Sequence, residues 1–283
     1  MTNYGGLTEE FTDYSSSNIV VVPVPFDGTS TWIKGADKGP QAILEASENM
    51  ELYDIETDSE VYLKGIHTTS EVTDVDTPEE LAEKLKPVVE QIFKDKKFPV
   101  ILGGEHSVSI GAFQAVGECF KNVSVLQLDA HSDMRDEYEE SKFNHACVMA
   151  RAKEICPVTQ VGIRSSCIEE KENIDPKRTF YAHKIKYSNA NWIDEVVSQL
   201  SDNVYLTIDL DVLDPAFLPS TGTPEPDGLS YRDVINLIKK VIEKKNLIGM
   251  DVVELAPIEN NKASDFLASK LIYQILSYKF SKK

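Results

Sequence analysis

Four apolar runs in this chain each end on residues able to bind a cation. FPVIL leads into Gly103-Gly104-Glu105-His106, VSVLQL into Asp129, VYLTI into Asp209 and LIGMDVV into Glu254. Continuous apolar runs of strand length, alternating with helix-like segments, leave few folds open. They imply right-handed strand–helix–strand units and a parallel sheet covered on both faces. We therefore expect α/β architecture, a three-layer α/β/α domain with a mostly parallel central sheet spanning residues 1–283. In such sheets ligands bind beyond the C-terminal ends of the strands, which is where all four candidate groups fall.

The remaining elements read as follows. NIVVVPV is a first buried strand. Thr77-Pro78-Glu79-Glu80 opens a helix, with Thr77 as N-cap, Pro78 at the first helical position and Glu80 completing a capping box; Pro87 is a candidate kink. Helices are expected from about 107 to 118 and from 145 to 154, over NWIDEVVSQL, from 231 to 244 behind an N-cap at Ser230, and from about 264 to 280. VTQVGI and RTFYA read as short strands. Gly103 and Gly104 are expected to let the backbone turn tightly so that His106 folds back over the site.

A net charge of −18 argues against nucleic acid, which needs a positive footprint, and favours steering of a small cationic ligand. No stretch approaches the roughly 20 apolar residues of a membrane span, and MTNYGGLTEEF has neither a basic n-region nor an apolar h-region. Cys119, Cys147, Cys156 and Cys167 form no CxxC pair, so reduced thiols in a cytoplasmic protein are expected.

In an extended segment residues i, i+2 and i+4 share a side, so Asp129, His131 and Asp133 are expected to converge, with Asp209 and Asp211 joining from a neighbouring strand and His106 from the glycine turn. Four carboxylates and two imidazoles exceed the needs of one ion and suit two hard or borderline divalent ions with bridging carboxylates.

The chain resembles the ureohydrolases, the family of arginases and agmatinases. The likeness covers nearly its whole length: VPFDGTSTWIKGADKGPQAI, GGEHS, DAHSDMRD, TIDLDVLDPAFLPSTGTPEPDGLS and DVVELAP occur in the family's order and spacing. The resemblance implies two Mn²⁺ per chain. His106, Asp129, Asp133 and Asp209 would hold one and His131, Asp129, Asp209 and Asp211 the other, with Asp129 and Asp209 bridging. Two such ions share a water and lower its pKa, giving a bridging hydroxide that attacks the guanidinium carbon. Asp133 would accept a hydrogen bond from that hydroxide and carry a proton to the leaving amine. Glu254 would pair with the guanidinium through two parallel hydrogen bonds. His145 would shuttle protons at the pocket mouth, although NHACVMARA departs from the His-Gly-Thr of many agmatinases. His67 and His183 read as structural. The family's habit also implies a homo-oligomer, a trimer or hexamer.

Arginases hold the substrate carboxylate from the loop after DAHxD. Here that loop is MRDEYEESKFN, with Arg135 about where an arginase has Asn and with Asp136, Glu137, Glu139 and Glu140 dominating. The acids are expected to repel a carboxylate and welcome an amine, with Glu137 as a substrate contact. The expectation is hydrolysis of agmatine to putrescine and urea. Guanidinobutyrase, arginase and formiminoglutamase activities stay open. So do a deacetylase-like hydrolase, which as a family uses one zinc, and a non-catalytic subunit.

Overall fold

The computed structural model describes residues 3–187 and 191–281. Eight parallel strands form one sheet in the order β2-β1-β3-β8-β7-β4-β5-β6. They are β1 (Ile19–Val24), β2 (Ile66–Thr68), β3 (Phe98–Gly103), β4 (Val123–Leu128), β5 (Val158–Ile163), β6 (Thr179–Tyr181), β7 (Asn203–Asp209) and β8 (Asn246–Val253). The helices are α1 (Gly39–Ser47), α2 (Pro78–Lys94), α3 (Ser109–Cys119), α4 (Val148–Ile155), α5 (Ala182–Tyr187), α6 (Trp192–Gln199), α7 (Tyr231–Lys244) and α8 (Ala263–Phe280). Two apolar clusters cover the sheet, one built with α1, α6, α7 and α8, the other with α2, α3 and α4. This is the expected three-layer α/β/α fold. Among the described residues no helix is long and apolar enough to cross a membrane.

The strands are predominantly apolar because both faces are covered: β1, β3, β4 and β5 are buried at every position. Sequence reasoning left out α1, α5 and the three-residue edge strand β2. The first two are short, and β2 is too short for any periodicity to show. The α2 helix runs unbroken through Pro87. Thr77 Oγ1 accepts from Glu80 N as expected, but the Glu80 carboxylate reaches the amide of Asp76, one residue outside the cap, so the capping box is displaced by one residue. The Ser230 cap is reciprocal: Asp233 N donates to Ser230 Oγ, and the Asp233 carboxylate accepts from Ser230 N.

The chain leaves β3, crosses over β8 and β7, and resumes at β4. Leu102, Val252, Ile208 and Leu128 sit in register across these four strands. The residues just past that row come from four distant stretches of sequence and meet in one crevice, the switch point of an open parallel sheet.

Candidate metal centre and active site

Asp129 follows directly on β4, Asp209 ends β7, and Asp211 lies in the short 3₁₀ turn Leu210–Val212 that continues it. His106 opens another 3₁₀ turn, His106–Val108, after β3. The expected ligands do meet, but not by strand alternation. β4 ends at Leu128, and Asp133 lies beyond it in a left-handed conformation, φ 51°, with its carbonyl accepting from Met149 N at the start of α4. Gly103 and Gly104 likewise serve a different purpose from the one expected. Neither has a positive φ; a Cβ on Gly104 would stand 2.4 Å from the Val24 carbonyl oxygen and 2.7 Å from that of Phe26. Gly104 lets backbones pass and so brings β3's turn against β1, whereas Gly103 makes room for the side chains of Val108 and Val253.

Two groups of ligand atoms result, His106 with Asp129 and Asp209, and Asp129 with His131 and Asp211. Asp129 belongs to both. His106 Nδ1 lies 3.2 Å from Asp129 Oδ2, 3.0 Å from Asp133 Oδ2 and 3.5 Å from Asp209 Oδ2. His131 Nδ1 lies 2.9 Å from Asp211 Oδ2 and 3.7 Å from Asp129 Oδ1.

Behind these groups stands a second row of polar side chains that sequence reasoning missed. Thr207 Oγ1 donates to Asp251 Oδ1 at 2.5 Å, so at its 2.9 Å contact with His106 it accepts from Nε2–H. That fixes the tautomer and turns the Nδ1 lone pair toward three carboxylates. Nδ1 is buried, and among the described residues its neighbours are these carboxylate oxygens and no hydrogen-bond donor. Without positive charge between them, lone pair would face lone pair in a buried site; a proton on the imidazole supplies part of that charge, and the donor set of carboxylate oxygens and imidazole nitrogens fits divalent ions. Gln127 Nε2 donates to Asp129 Oδ2 at 2.7 Å and is itself held by Gln160. Ala130 N donates to Asp211 Oδ1, and Asp211 N to Asp209 Oδ1. Arg164 Nη2 donates to the carbonyls of Asp211 and Glu225, securing the turn that carries Asp211. A signal for part of this row was present: Gln127 and Thr207 are polar residues in apolar strands, each two positions before a ligand and therefore on its face.

The electrostatics agree. Burial, then repulsion by Asp133 and Asp211, pushes the Asp129 carboxyl up to about 7. Burial and neighbouring Asp211 and Asp129 hold Asp209 well above the usual carboxylate range. Burial alone would lower the His106 imidazole, but its contacts with Asp129, Asp133 and Asp209 more than offset this and raise it well above its ordinary value. Burial would raise Asp211, yet attraction to His131 brings it down to about 2. Protein groups alone leave this cluster short of positive charge.

The centre opens into a cavity of about 290 Å³ lined by His131, Asp133, Asp209, Glu254, His145 and Tyr138, among others. Glu254 follows β8 with φ 67°; its Oε1 accepts from His106 N at 2.7 Å, which ties the carboxylate to the ligand turn. His145 Nδ1 lies 3.0 Å from Thr29 Oγ1, which also accepts from His145 N. His67, whose Nδ1 lies 2.8 Å from the Thr12 carbonyl oxygen, and His183, stacked on Tyr181, stand apart from the site.

The acidic loop departs from expectation. Glu137 is exposed and is not among the residues lining the cavity. Asp136 pairs with Arg151 and Lys142. Arg135 and Tyr138 line the wall instead, with the Arg135 guanidinium 4.2 Å from the ring centroid. A run of acids in sequence gives no direction to its side chains; the buried Arg151 turns Asp136 away.

Comparison with known proteins decides the family. The arginase family model matches residues 17–277. The chain belongs to the arginase family. It is a ureohydrolase, a hydrolase of guanidino C–N bonds. It is 38% identical to an N(1)-aminopropylagmatine ureohydrolase of Synechocystis, over 96% of this chain and 92% of the relative. With a Pyrococcus horikoshii agmatinase it shares 32% identity over 93% of both chains. The structure of an agmatine ureohydrolase from Thermoplasma volcanium superposes with a TM-score of 0.88 at 31% identity, covering 99% of this chain and 95% of that one. Members of the family depend on two metal ions, and the two clusters sharing Asp129 are the candidate site here.

Proposed function

We propose that this protein hydrolyses a cationic guanidinoalkylamine to urea and the free polyamine, using two Mn²⁺ ions. Agmatine and its N(1)-aminopropyl derivative are the candidate substrates. The observation that carries the reading is the sharing of Asp129 between two ligand groups at the floor of a cavity that also holds Glu254. His106, Asp129, Asp133 and Asp209 would hold one ion, and His131, Asp129, Asp209 and Asp211 the other. Bound there, two such ions lower the pKa of a shared water toward neutrality. One zinc, as in deacetylase-like hydrolases, would leave most of these ligands unused.

The chain's own groups do the rest. Glu254 presents its carboxylate to the guanidinium and orients the carbon toward the floor. Asp133, on the same floor, accepts a proton there and delivers it to the leaving amine. His145 exchanges protons between cavity and solvent, its ring set by Thr29. The amine-tailed substrates are supported by relatives named for aminopropylagmatine and agmatine, not by the acids of the loop, none of which lines the cavity. A cytoplasmic trimer or hexamer is part of the same reading.

The test is urea release by manganese-loaded protein from agmatine, N(1)-aminopropylagmatine, arginine, guanidinobutyrate and formiminoglutamate, with metal content measured alongside. Preference for the two amine-tailed guanidines by at least 100-fold in kcat/KM over arginine, with two ions per chain, is expected. One ion per chain, or arginine cleaved as well as agmatine, would overturn it.

A further inference from the structure

The loop between Asp133 and His145 is built as a strap with fixed ends. Arg135 N donates to the Ala146 carbonyl. The buried Arg151 donates through Nη1 to the carbonyls of Asp136 and Lys142 and through Nη2 to Asp136 Oδ1. Ser141 Oγ donates to Glu79 Oε1 on α2 at 2.6 Å. At the tip, Tyr138 and Ser141 exchange two backbone hydrogen bonds of 3.0 Å around Glu139 and Glu140. Both glutamates lie in the left-handed region, φ 48° and 65°. A two-residue hairpin of this hand ordinarily takes Asn-Gly, because a Cβ is strained there. Strain of this kind persists only where the surroundings over-determine the conformation, and it clusters at ligand sites. Of the four residues of this strained tip, Tyr138 is the one that lines the cavity.

That ring already carries a cation. The Arg135 guanidinium stands over it at 4.2 Å, and among the described residues no carboxylate lies within 4.0 Å of that guanidinium. His145 meets the same ring edge to face at 6.4 Å. The outer wall has one carboxylate of its own, Glu170, and it is spent: it accepts from Met134 N, Cys167 N and Ser166 Oγ. Asp133, Asp209 and Glu254 belong to the floor. For a second positive charge at the far end of a guanidino substrate, the aromatic surface that the described lining residues of this wall offer is the Tyr138 ring; a further carboxylate, Glu225, lies beside the floor, 3.9 Å from His131 Nε2.

We propose that Tyr138 is the seat of the substrate's distal ammonium and that Arg135 holds this seat in the free enzyme, yielding it when the substrate enters. The inference rests on the proposed amine-tailed substrate class and assigns its tail a site. The exchange of one cation for another on a ring leaves no charge unpartnered, because the flexible Arg135 side chain moves its guanidinium into water. A guanidine with a carboxylate tail would instead engage Arg135 itself. The wall thus discriminates by what happens to one guanidinium.

The experiment is steady-state kinetics of manganese-loaded enzyme with agmatine, N(1)-aminopropylagmatine, butylguanidine and guanidinobutyrate. Butylguanidine keeps the guanidinium and four-carbon chain but lacks the ammonium. Tyr138→Leu is expected to raise KM for agmatine by about 3- to 30-fold, the range a cation–ring contact supplies, with kcat retained and butylguanidine unaffected. Tyr138→Phe keeps the ring and should keep KM, which separates the seat from a loop that merely fails to form. Arg135→Gln vacates the ring and should lower KM for agmatine. Equal losses for agmatine and butylguanidine in Tyr138→Leu, or an unchanged agmatine KM, would remove the seat while leaving the proposed function standing. A higher agmatine KM in Arg135→Gln would overturn the exchange. A wild-type chain that cleaves guanidinobutyrate and neither amine-tailed guanidine would overturn both readings together.

Discussion

At the edge of β3, β8, β7 and β4 the ionisable groups, the half-buried His131 apart, are buried and most are held by a second polar group; the strap over residues 134–146, by contrast, carries most of its charges into solvent. His106 is backed by Thr207 and Asp251, Asp129 by Gln127 and Gln160, and Asp211 by the Ala130 amide. Asp136, Glu137, Glu139 and Glu140 are exposed. In the first region a wrong side chain leaves charge buried and unpaired, so each position is tightly determined. In the second, water solvates whatever is present, and function falls to the few side chains that the backbone turns inward. On the proposed function, reaction chemistry and substrate choice depend on different parts of the molecule and should separate under mutation.

The largest expected effect is at the floor. Asp209→Asn removes a negative charge from the ligand set and should cost about 10³-fold in activity, equivalent to several kcal/mol of lost charge stabilisation, together with loss of bound metal. Retention of two ions with near-normal turnover would break the comparison at its strongest point. Next is His145, at the boundary of the two regions: His145→Ala should lower kcat by roughly 10²-fold, within the range of positioned acid–base groups, and added imidazole should recover part of it. Full activity would make the ring a packing element. Glu254→Gln should reduce kcat/KM at least about 10-fold, from the loss of a charge-assisted contact of about 1.5–3 kcal/mol, with metal content unchanged. Metal loss in that variant would move Glu254 into the support of the centre, as its bond to the His106 amide allows.

Thr207→Val tests the second row. It should weaken metal affinity about 10-fold and upwards to 100-fold by releasing the His106 tautomer, and excess Mn²⁺ should restore activity. Metal titration of the apo-protein is the readout, and an unchanged affinity would reduce the row to packing. The smallest effect belongs to the strap: Glu137→Gln should leave kcat/KM for agmatine within about twofold, since only a screened, long-range charge is removed. A tenfold loss would return Glu137 to the site.

Much of this was legible in the linear chain. The four apolar runs announced parallel strands, because a run without alternation has both faces covered. The spacing of His106, Asp129, His131, Asp133, Asp209 and Asp211 announced where the chemistry gathers. Less legible were the reasons: Asp133 reaches the cluster through a left-handed turn, and Gly104 is small because two carbonyls crowd it. The second row was visible in part, as Gln127 and Thr207 share a face with the ligands that follow them, while Asp251 and Gln160 read as ordinary members of their strands.

The sequence by itself determined the layered fold and the set of candidate ligands, since hydrophobic burial and donor chemistry act residue by residue and over short spans. Only the tertiary structure decided which wall residues line the cavity. Arg151, fifteen positions along from Asp136, turns that acid outward, and a strained two-residue hairpin turns Tyr138 inward. Side-chain direction in an irregular loop follows from contacts made across the fold, and no local periodicity encodes those contacts.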